Sequence, residues 1–297
     1  MPSRSPVKKT DIAVTLARKG LYPMKRIADT LEISRSNQYA RGKNQRGRYN
    51  PKPDDEKYLS HIRKITDARP SYGYRRVTTQ LNREISERVN HKRIYRIMRI
   101  HHLLLPKHTG RPVHLHTGTI ITLTSNMRWC SDSFEILCWN GDKVRIAFAM
   151  DCSDREIMSY IATTKGITAE MVKDLMAESI EYRFGKTEKL PHRIEWLTDN
   201  GSAYTAHETI RFARMMGLEV CTTPYYSPDS NGMAESFIKS FKRDYVQVND
   251  ILDAREVMNK LSLWFEDYNE YHPHKGLKMK SPREHRRELS KIEGCPV

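Results

Sequence analysis

The stretch from Thr198 to Lys242 contains two short motifs, which read Thr-Asp-Asn-Gly-Ser at 198–202 and Ser-Pro-Asp-Ser-Asn-Gly-Met-Ala-Glu-Ser at 227–236. Its acids Asp199 and Glu235 are separated by 35 residues, and a third acid, Asp132, lies upstream in Trp-Cys-Ser-Asp. The hydrophobic pattern predicts that Asp199 directly follows a strand. It also predicts that Glu235 lies in the first turns of a helix beginning near residue 231 and ending near residue 246. This order of elements indicates an α/β core.

The segment upstream of this stretch is rich in strand signals. Residues 127–139 and 143–150 flank Asn140-Gly141, a strong two-residue hairpin signal, and residues 156–162 read as a third strand. The elements predicted next are a helix at 168–184, a strand at 192–197, a helix at 206–216 and a short strand at 219–222. Three antiparallel strands followed by this alternation predict a five-stranded mixed sheet with flanking helices, the order of a ribonuclease-H-like core.

The net charge of +15 is concentrated at the front of the chain. Residues 1–128 hold 28 Lys and Arg against 9 Asp and Glu, a balance of +19, whereas the remaining residues hold 23 against 27, a balance of −4. A basic front half joined to a slightly acidic rear half indicates nucleic-acid affinity in front. Charge alone does not distinguish DNA from RNA.

The first segment reads as a helix-turn-helix. Helical spacing at 11–20 and 25–31 is followed by Ser34, a good N-cap for a third helix ending near residue 40. Such a motif places the first residues of its last helix in the major groove, so we expect Arg35 to contact DNA. A simple three-helix packing unit would produce much the same pattern.

A second helical segment follows a polar, basic linker. Apolar residues at helical spacing predict three helices between residues 54 and 105, and the last of them has a basic face. That face comprises Lys92, Arg93, Arg96 and Arg99. It is either a solvated surface or a phosphate-binding one. We divide the whole chain into a helix-turn-helix-like segment with its linker at 1–50, a helical DNA-binding domain at 51–112, a linker at 113–125, the catalytic core at 126–248 and a C-terminal helical segment at 249–297.

Composition limits the class of protein. Mean hydropathy is −0.71, no apolar run approaches the length of a membrane helix, and the N-terminus lacks the apolar core of a signal peptide. The five cysteines form no C-x-x-C pair and read as thiols in a reducing compartment. Histidines are dense between residues 101 and 116, but the paired spacing of a zinc site is missing. We expect a cytoplasmic protein without a membrane anchor.

The three acids suit metal-dependent phosphoryl transfer. In-line displacement at a phosphodiester needs charge neutralisation on the attacking and the leaving oxygen, which two Mg²⁺ ions roughly 3.5–4 Å apart provide through oxygen ligands. Three carboxylates, two such ions and one phosphate sum to zero charge. Asp151 and Asp154 compete with Asp132 as the upstream ligand, but they fit a turn between strands, where Asp favours local backbone hydrogen bonds.

One stripe of the helix that carries Glu235 favours the same chemistry. Asn231, Glu235, Lys239 and Lys242 lie on one helical face. Asn231 could orient the carboxylate, and the two lysines could hold DNA phosphates. An ordinary solvated Glu–Lys pair is the alternative for Lys239.

These motifs resemble the signature of the Asp-Asp-Glu transposases, relatives of the retroviral integrases. The likeness is closest to the second-frame proteins of insertion-sequence-three-type bacterial elements, for which the 35-residue spacing is a hallmark. Lys242 matches a basic position expected to touch the terminal nucleotides. Residues 72–77, with Arg75 and Arg76, resemble the family's helical DNA-binding segment, and residues 268–274 and 281–284 resemble its closing segment. Phe134 and the Leu-Thr-Asp-Asn sequence at 197–200 depart from the commoner family form and suggest a subgroup.

The resemblance implies a reaction and its partners. Cleavage at the ends of an insertion sequence would free a 3′-hydroxyl, which would attack another phosphodiester with Mg²⁺ or Mn²⁺ bound at Asp132, Asp199 and Glu235. The partners implied are the duplex DNA of the terminal repeats and the target, a first-frame protein joined by frameshift fusion, and further copies of the chain on DNA. The cellular place implied is the bacterial nucleoid. Two alternatives stay open, a plain nuclease and a DNA-binding regulator derived from the same fold.

Overall fold

The computed structural model describes residues 9–20, 22–35, 53–85, 87–106, 124–186, 190–199, 201–222 and 232–293. The chain divides into two compact units, residues 1–56 and 57–297. Within the described ranges, no helix has the length and apolar character needed to cross a membrane.

The first unit contains two of the predicted helices. Helix α1 (Lys9–Arg18) and helix α2 (Met24–Leu31) bury Ala13, Ile27 and Ala28, which confirms the helical spacing of the sequence. The third predicted helix falls almost entirely outside the described residues, as does the linker behind it. Arg35 is described and exposed.

The helical segment that follows forms three helices around its own core. Helices α3 (Asp55–Ala68), α4 (Tyr74–Glu84) and α5 (His91–Ile100) confirm the three predicted ones. Their buried apolar residues form one cluster because each helix turns a single stripe inward. Asn90 caps α5 by accepting a hydrogen bond from the Lys92 amide at 2.8 Å.

The central sheet has five strands in the order β3-β2-β1-β4-β5. The strands are β1 (Arg128–Leu137), β2 (Lys143–Asp151), β3 (Ile157–Thr163), β4 (Ile194–Thr198) and β5 (Leu218–Thr222). Strand β2 pairs antiparallel with β1 and with β3. Strand β4 pairs parallel with β1, and β5 pairs parallel with β4. Gly141 adopts φ 91° in the predicted hairpin turn, a conformation that glycine tolerates. The predicted five-stranded mixed sheet is confirmed.

Helices cover both faces of this sheet. The connecting helices are α6 (Ala169–Phe184), α7 (Ser202–Thr205), α8 (His207–Met215), α9 (Gly232–Phe241), α10 (Ala254–Glu270) and α11 (Pro282–Glu293). Alternate residues of β1 face opposite sides, so Cys130, Phe134 and Ile136 pack with α9 and α10, whereas Trp129 packs with the α6 side. Helix α9 continues into a π-helical turn at Lys242–Val246, a rare geometry often found at functional sites. The short helix α7 has no counterpart in the predicted elements, and the π turn forms the end of the helix predicted to end near residue 246.

The helical segment is fixed to the core by polar contacts that are partly or fully buried. Arg69 donates to Asp267 at 2.8 and 2.5 Å, Arg76 donates to Asp244 at 2.8 Å, and the Tyr72 hydroxyl lies 3.3 Å from Nδ1 of His272. All three contacts are made by residues between 69 and 76. Their partners lie on α10, in the π turn and in the loop after α10. The structure thus gives Arg76, expected from the resemblance to contact DNA, a partner inside the protein. Its predicted DNA contact stays a prediction.

Candidate active site

Strand pairing brings two of the three predicted acids together. The parallel β1–β4 register pairs Cys130 with Leu197. Asp132 lies two residues further along β1, and Asp199 directly follows the end of β4, two residues after Leu197. Two residues is also one full pleat, so Asp132 shares the face of β1 that packs with α9 and α10. The sequence prediction that these strands are neighbours is confirmed.

Helix α9 supplies the third acid from above the same face. Ala234, Phe237 and Phe241 are buried against the sheet, and Glu235 lies in the first turn of the helix, 40% exposed. Its Oε2 accepts a hydrogen bond from Nζ of Lys239 at 2.9 Å. The structure therefore forms the Glu–Lys pair that was the alternative interpretation of Lys239. The contact of Lys239 with DNA stays a prediction, and Asn231 lies outside the described residues.

The loop after β4 holds Asp199 through its own backbone. The Gly201 amide donates to Oδ1 of Asp199 at 3.0 Å, and a Cβ on Gly201 would lie 2.9 Å from that oxygen and 3.3 Å from the Tyr204 ring. Only glycine fits here without displacing the carboxylate. Tyr204 is buried under the other face of the sheet and accepts a hydrogen bond from Ser131 at 3.0 Å. This bond ties the loop after Asp199 to the residue beside Asp132.

Gly201 and Tyr204 were not singled out in the sequence. Gly201 lies inside the quoted motif, two residues after Asp199, and that position is the signal that could have identified it. Tyr204 carries no such signal, because its role depends on a contact across 73 residues.

Asp132 is electrostatically coupled to the other two acids. The pKa of Asp132 is raised to about 6, mainly by burial and further by the negative charges of Asp199 and Glu235, while the Ser133 amide lowers it. Each of the other two acids is therefore close enough to disfavour ionisation of Asp132. A bound cation would reverse this repulsion.

The donor set fits a hard divalent cation. All three side chains offer only carboxylate oxygens, the ligands that Mg²⁺ and Mn²⁺ prefer. Among the described residues, no three His, Cys, Asp or Glu side chains already lie close enough together to enclose an ion. The pair of Glu235 with Lys239 would oppose metal binding only weakly, because exposed i,i+4 pairs contribute only about 0.3–0.5 kcal/mol.

The competing upstream acids have structural partners. Oδ1 of Asp151 accepts hydrogen bonds from the amides of Ser153 and Asp154 at 2.7 and 3.2 Å, as expected of Asp in a turn. Asp154 forms a fully buried bidentate pair with Arg183 at 3.0 Å. Asp151 is thus hydrogen-bonded to turn amides and Asp154 is paired with Arg183 of α6, which leaves Asp132 as the candidate upstream acid.

The predicted DNA-binding cations fall into two places in the second unit. Near the acids, Nζ of Lys242 lies 5.6 Å from the ring centroid of Phe134, two residues beyond Asp132. On the helical segment, Arg75 is exposed beside the Tyr74 ring, and Arg93 lies over the Tyr58 ring. Lys92 and Arg96 are exposed on α5. The structure does not bring these two groups together around the acids.

The chain matches three family models and is similar to transposases of Escherichia coli insertion elements. An HTH-like domain model matches residues 53–111, and two integrase core domain models match residues 123–228 and 216–282. Transposase InsD for insertion element IS2D of Escherichia coli strain K12 is 45% identical over 249 residues, covering 82% of this chain and 82% of that protein. Transposase InsD for insertion element IS2-9 of the same strain has the same identity and covers 82% and 80%.

Two solved structures match the chain at low similarity. The simian T-cell lymphotropic virus intasome in complex with the PP2A regulatory subunit B56 gamma gives a TM-score of 0.46 at 18% identity, covering 75% of this chain and 74% of that one. The catalytic domain of Mos1 mariner transposase gives 0.38 at 16%, covering 56% and 77%. At these scores the fold assignment depends on the sheet order and the family models.

Proposed function

This chain belongs to the insertion-element transposases with an integrase core, and from that premise we propose that Asp132, Asp199 and Glu235 are its catalytic metal ligands. One observation carries the proposal: the β1–β4 register and helix α9 bring these three acids to one face, where the other two charges raise the pKa of Asp132. The family performs polynucleotidyl transfer, and the acids supply the oxygen ligands that such transfer needs.

The proposed reaction has two phosphoryl-transfer steps. Two Mg²⁺ or Mn²⁺ ions, when bound, would neutralise charge on the attacking and leaving oxygens. In the first step, a water oxygen bonds to the phosphorus at the element end and the 3′-oxygen leaves, taking a proton to become a hydroxyl. In the second, that hydroxyl loses its proton and its oxygen bonds to a target phosphorus, whose own 3′-oxygen leaves and takes up a proton to become a hydroxyl.

The chain's own residues position these steps. Asp132 and Asp199 are held by the sheet and by the Gly201 amide, so their carboxylates form the fixed side of the site. Glu235 is the adjustable side, because its side chain is 40% exposed and its pair with Lys239 can give way when metal and DNA compete for the two side chains. We propose that the released Lys239, together with Lys242, then binds phosphates near the reacting bond.

Partners beyond DNA follow from the family resemblance. We propose that the chain acts at the nucleoid as an oligomer, and that a first-frame protein, joined by frameshift fusion, contributes recognition of the terminal repeats. Addition of that protein to the assay below tests this point directly.

Cleavage and joining of labelled duplexes carrying the element's own ends test the catalytic assignment. Glu235→Gln should reduce both by at least about a hundredfold, since the metal contributes several kcal/mol to the transition state. The matched control is Glu170→Gln. Glu170 also lies in the first turn of a helix, α6, and pairs with a lysine one turn later, Lys173. Joined products from Glu235→Gln at the wild-type rate would refute the site. If the wild type cleaves the duplexes but does not join them, the result would favour a nuclease. If it binds DNA but gives no metal-dependent product even with the first-frame protein added, the result would favour a regulator.

A further inference from the structure

A second basic surface lies away from the three acids. It is a groove of about 1160 Å³ with two walls. One wall is formed by α4 and the loop after it, and the other by the turn at 278–280 and helix α11. We call it the basic groove. Seven Lys and Arg side chains and three Glu side chains line it, whereas Val89 and Met279 are its only apolar lining residues within the part of the chain that the structure describes. A pocket for a small organic ligand is usually lined by apolar and aromatic side chains.

The acids of the groove are already neutralised. Glu87 accepts a hydrogen bond from Tyr58 and lies 3.6 Å from Lys57. Glu284 pairs with Arg83, and Glu288 pairs with Lys280. No carboxylate of the groove is therefore left to balance the other cations.

Four cations remain after these pairs and the pair of Arg287 with Glu270 at 2.7 Å. They are Arg75, Arg88, Lys278 and Lys291. All four are exposed, and none forms an ion pair with another described residue. Lys278 and Met279 also share a left-handed backbone, with φ 55° and 68°, a conformation that residues with side chains rarely adopt. The turn places Lys278 at the groove despite this strain.

The two walls of the groove are held in a fixed relation. Arg83 on α4 pairs with Glu284 on α11 and donates to the carbonyl of Tyr271 at 2.6 Å. The hydrogen bonds of Arg69 with Asp267 and of Arg76 with Asp244 also hold this helical segment against the core. The groove therefore exists before any ligand arrives, which lowers the cost of binding.

We propose that the basic groove binds the phosphate backbone of duplex DNA, independently of base sequence. The inference rests on the proposed function, because that function makes DNA the polyanion this chain must hold. It adds Arg88, Lys278 and Lys291 to the DNA contacts predicted from the sequence and assigns the C-terminal segment a direct part in binding. Cations on both walls suit a ligand with phosphates on both of its strands.

The test measures binding of the full chain to labelled duplexes without divalent metal, over a range of salt concentrations. The test variant carries Arg88→Gln, Lys278→Gln and Lys291→Gln. The control carries Lys165→Gln, Lys186→Gln and Arg214→Gln, exposed positions outside the groove with the same loss of charge. Thermal unfolding of both confirms that each is folded.

The groove variant should bind element-end and random duplexes at least about tenfold more weakly at ~0.1 M salt. Its slope of log affinity against log salt should be lower by about 2.7, since each phosphate contact contributes about 0.9. Affinity and slope equal to those of the control variant would overturn the inference. Tighter binding of duplex RNA than of duplex DNA by the wild type would also overturn it.

The outcome is separable from that of the catalytic proposal. Loss of binding in the groove variant, with no cleavage by the wild type, would support the groove and refute the reaction. Cleavage by the wild type, with unchanged DNA binding by the groove variant, would support the reaction and refute the groove.

Discussion

Asp132→Asn should stabilise the metal-free protein while abolishing its activity. The carboxyl pKa is raised from an ordinary 3.8 to about 6 by burial and by the charges of Asp199 and Glu235. A shift of about two units corresponds to about 3 kcal/mol against the folded state when the group is ionised. Because the side chain is partly exposed, solvent screening reduces this to about 1–2 kcal/mol. Asparagine removes the charge and keeps an oxygen that can accept the hydrogen bond from Ser133, which is 2.7 Å long.

The pH dependence gives the sign of the effect. Below about pH 4 the carboxyl is protonated in the folded and the unfolded chain, so wild type and variant should be equally stable. The wild type loses stability relative to the variant as pH rises from about 4 to 6, and the gap stays constant above that range.

The assay is thermal unfolding in EDTA from pH 4 to 8. At pH 7.5 the variant should unfold roughly 3–6 °C higher. The matched control, Asp174→Asn, changes an exposed aspartate of α6 and should show no gap. Added Mg²⁺ should raise the unfolding temperature of the wild type but not of Asp132→Asn. A variant less stable than the wild type at pH 7.5, or a gap that persists at pH 4, would refute the idea that burial and the neighbouring acids disfavour the charge of Asp132.

Two further changes test the supports of the site. Gly201→Ala places a methyl group 2.9 Å from Oδ1 of Asp199 and should lower cleavage at least about tenfold, because small displacements of reacting groups are costly; normal cleavage rates would contradict this. Asp244→Asn should lower the free energy of unfolding by about 2–3 kcal/mol in a urea titration, since it leaves Arg76 and Arg243 without their buried partner; a change below about 0.5 kcal/mol would show that the junction contributes little.

Much of the fold was predictable because it depends on short-range patterns. The alternation of apolar residues specified the strands, the helical spacing specified α6, and Asn140-Gly141 marked the hairpin. Adjacency of Asp132 and Asp199 also followed from the order of strands and helices, since few topologies connect them.

Contacts between distant parts of the chain were not predictable in this way. The motif at 72–77 was interpreted as a DNA-binding segment, yet Tyr72 and Arg76 contact His272 and Asp244 in the core. Nothing in local periodicity distinguishes an arginine that faces DNA from one that faces a buried aspartate. The same holds for Tyr204, whose partner Ser131 lies 73 residues earlier.

The sequence by itself determined the sheet, its helices and the acids at the ends of neighbouring strands, because those features follow from the spacing of apolar and polar residues. Only the tertiary structure decided which charges neutralise one another. It paired Glu235 with Lys239, enclosed Asp244 between arginines and left Arg88, Lys278 and Lys291 without an ion pair among the described residues. The reason is physical: the energy of a charge depends on its burial and on its neighbours within a few ångströms, and folding alone determines both.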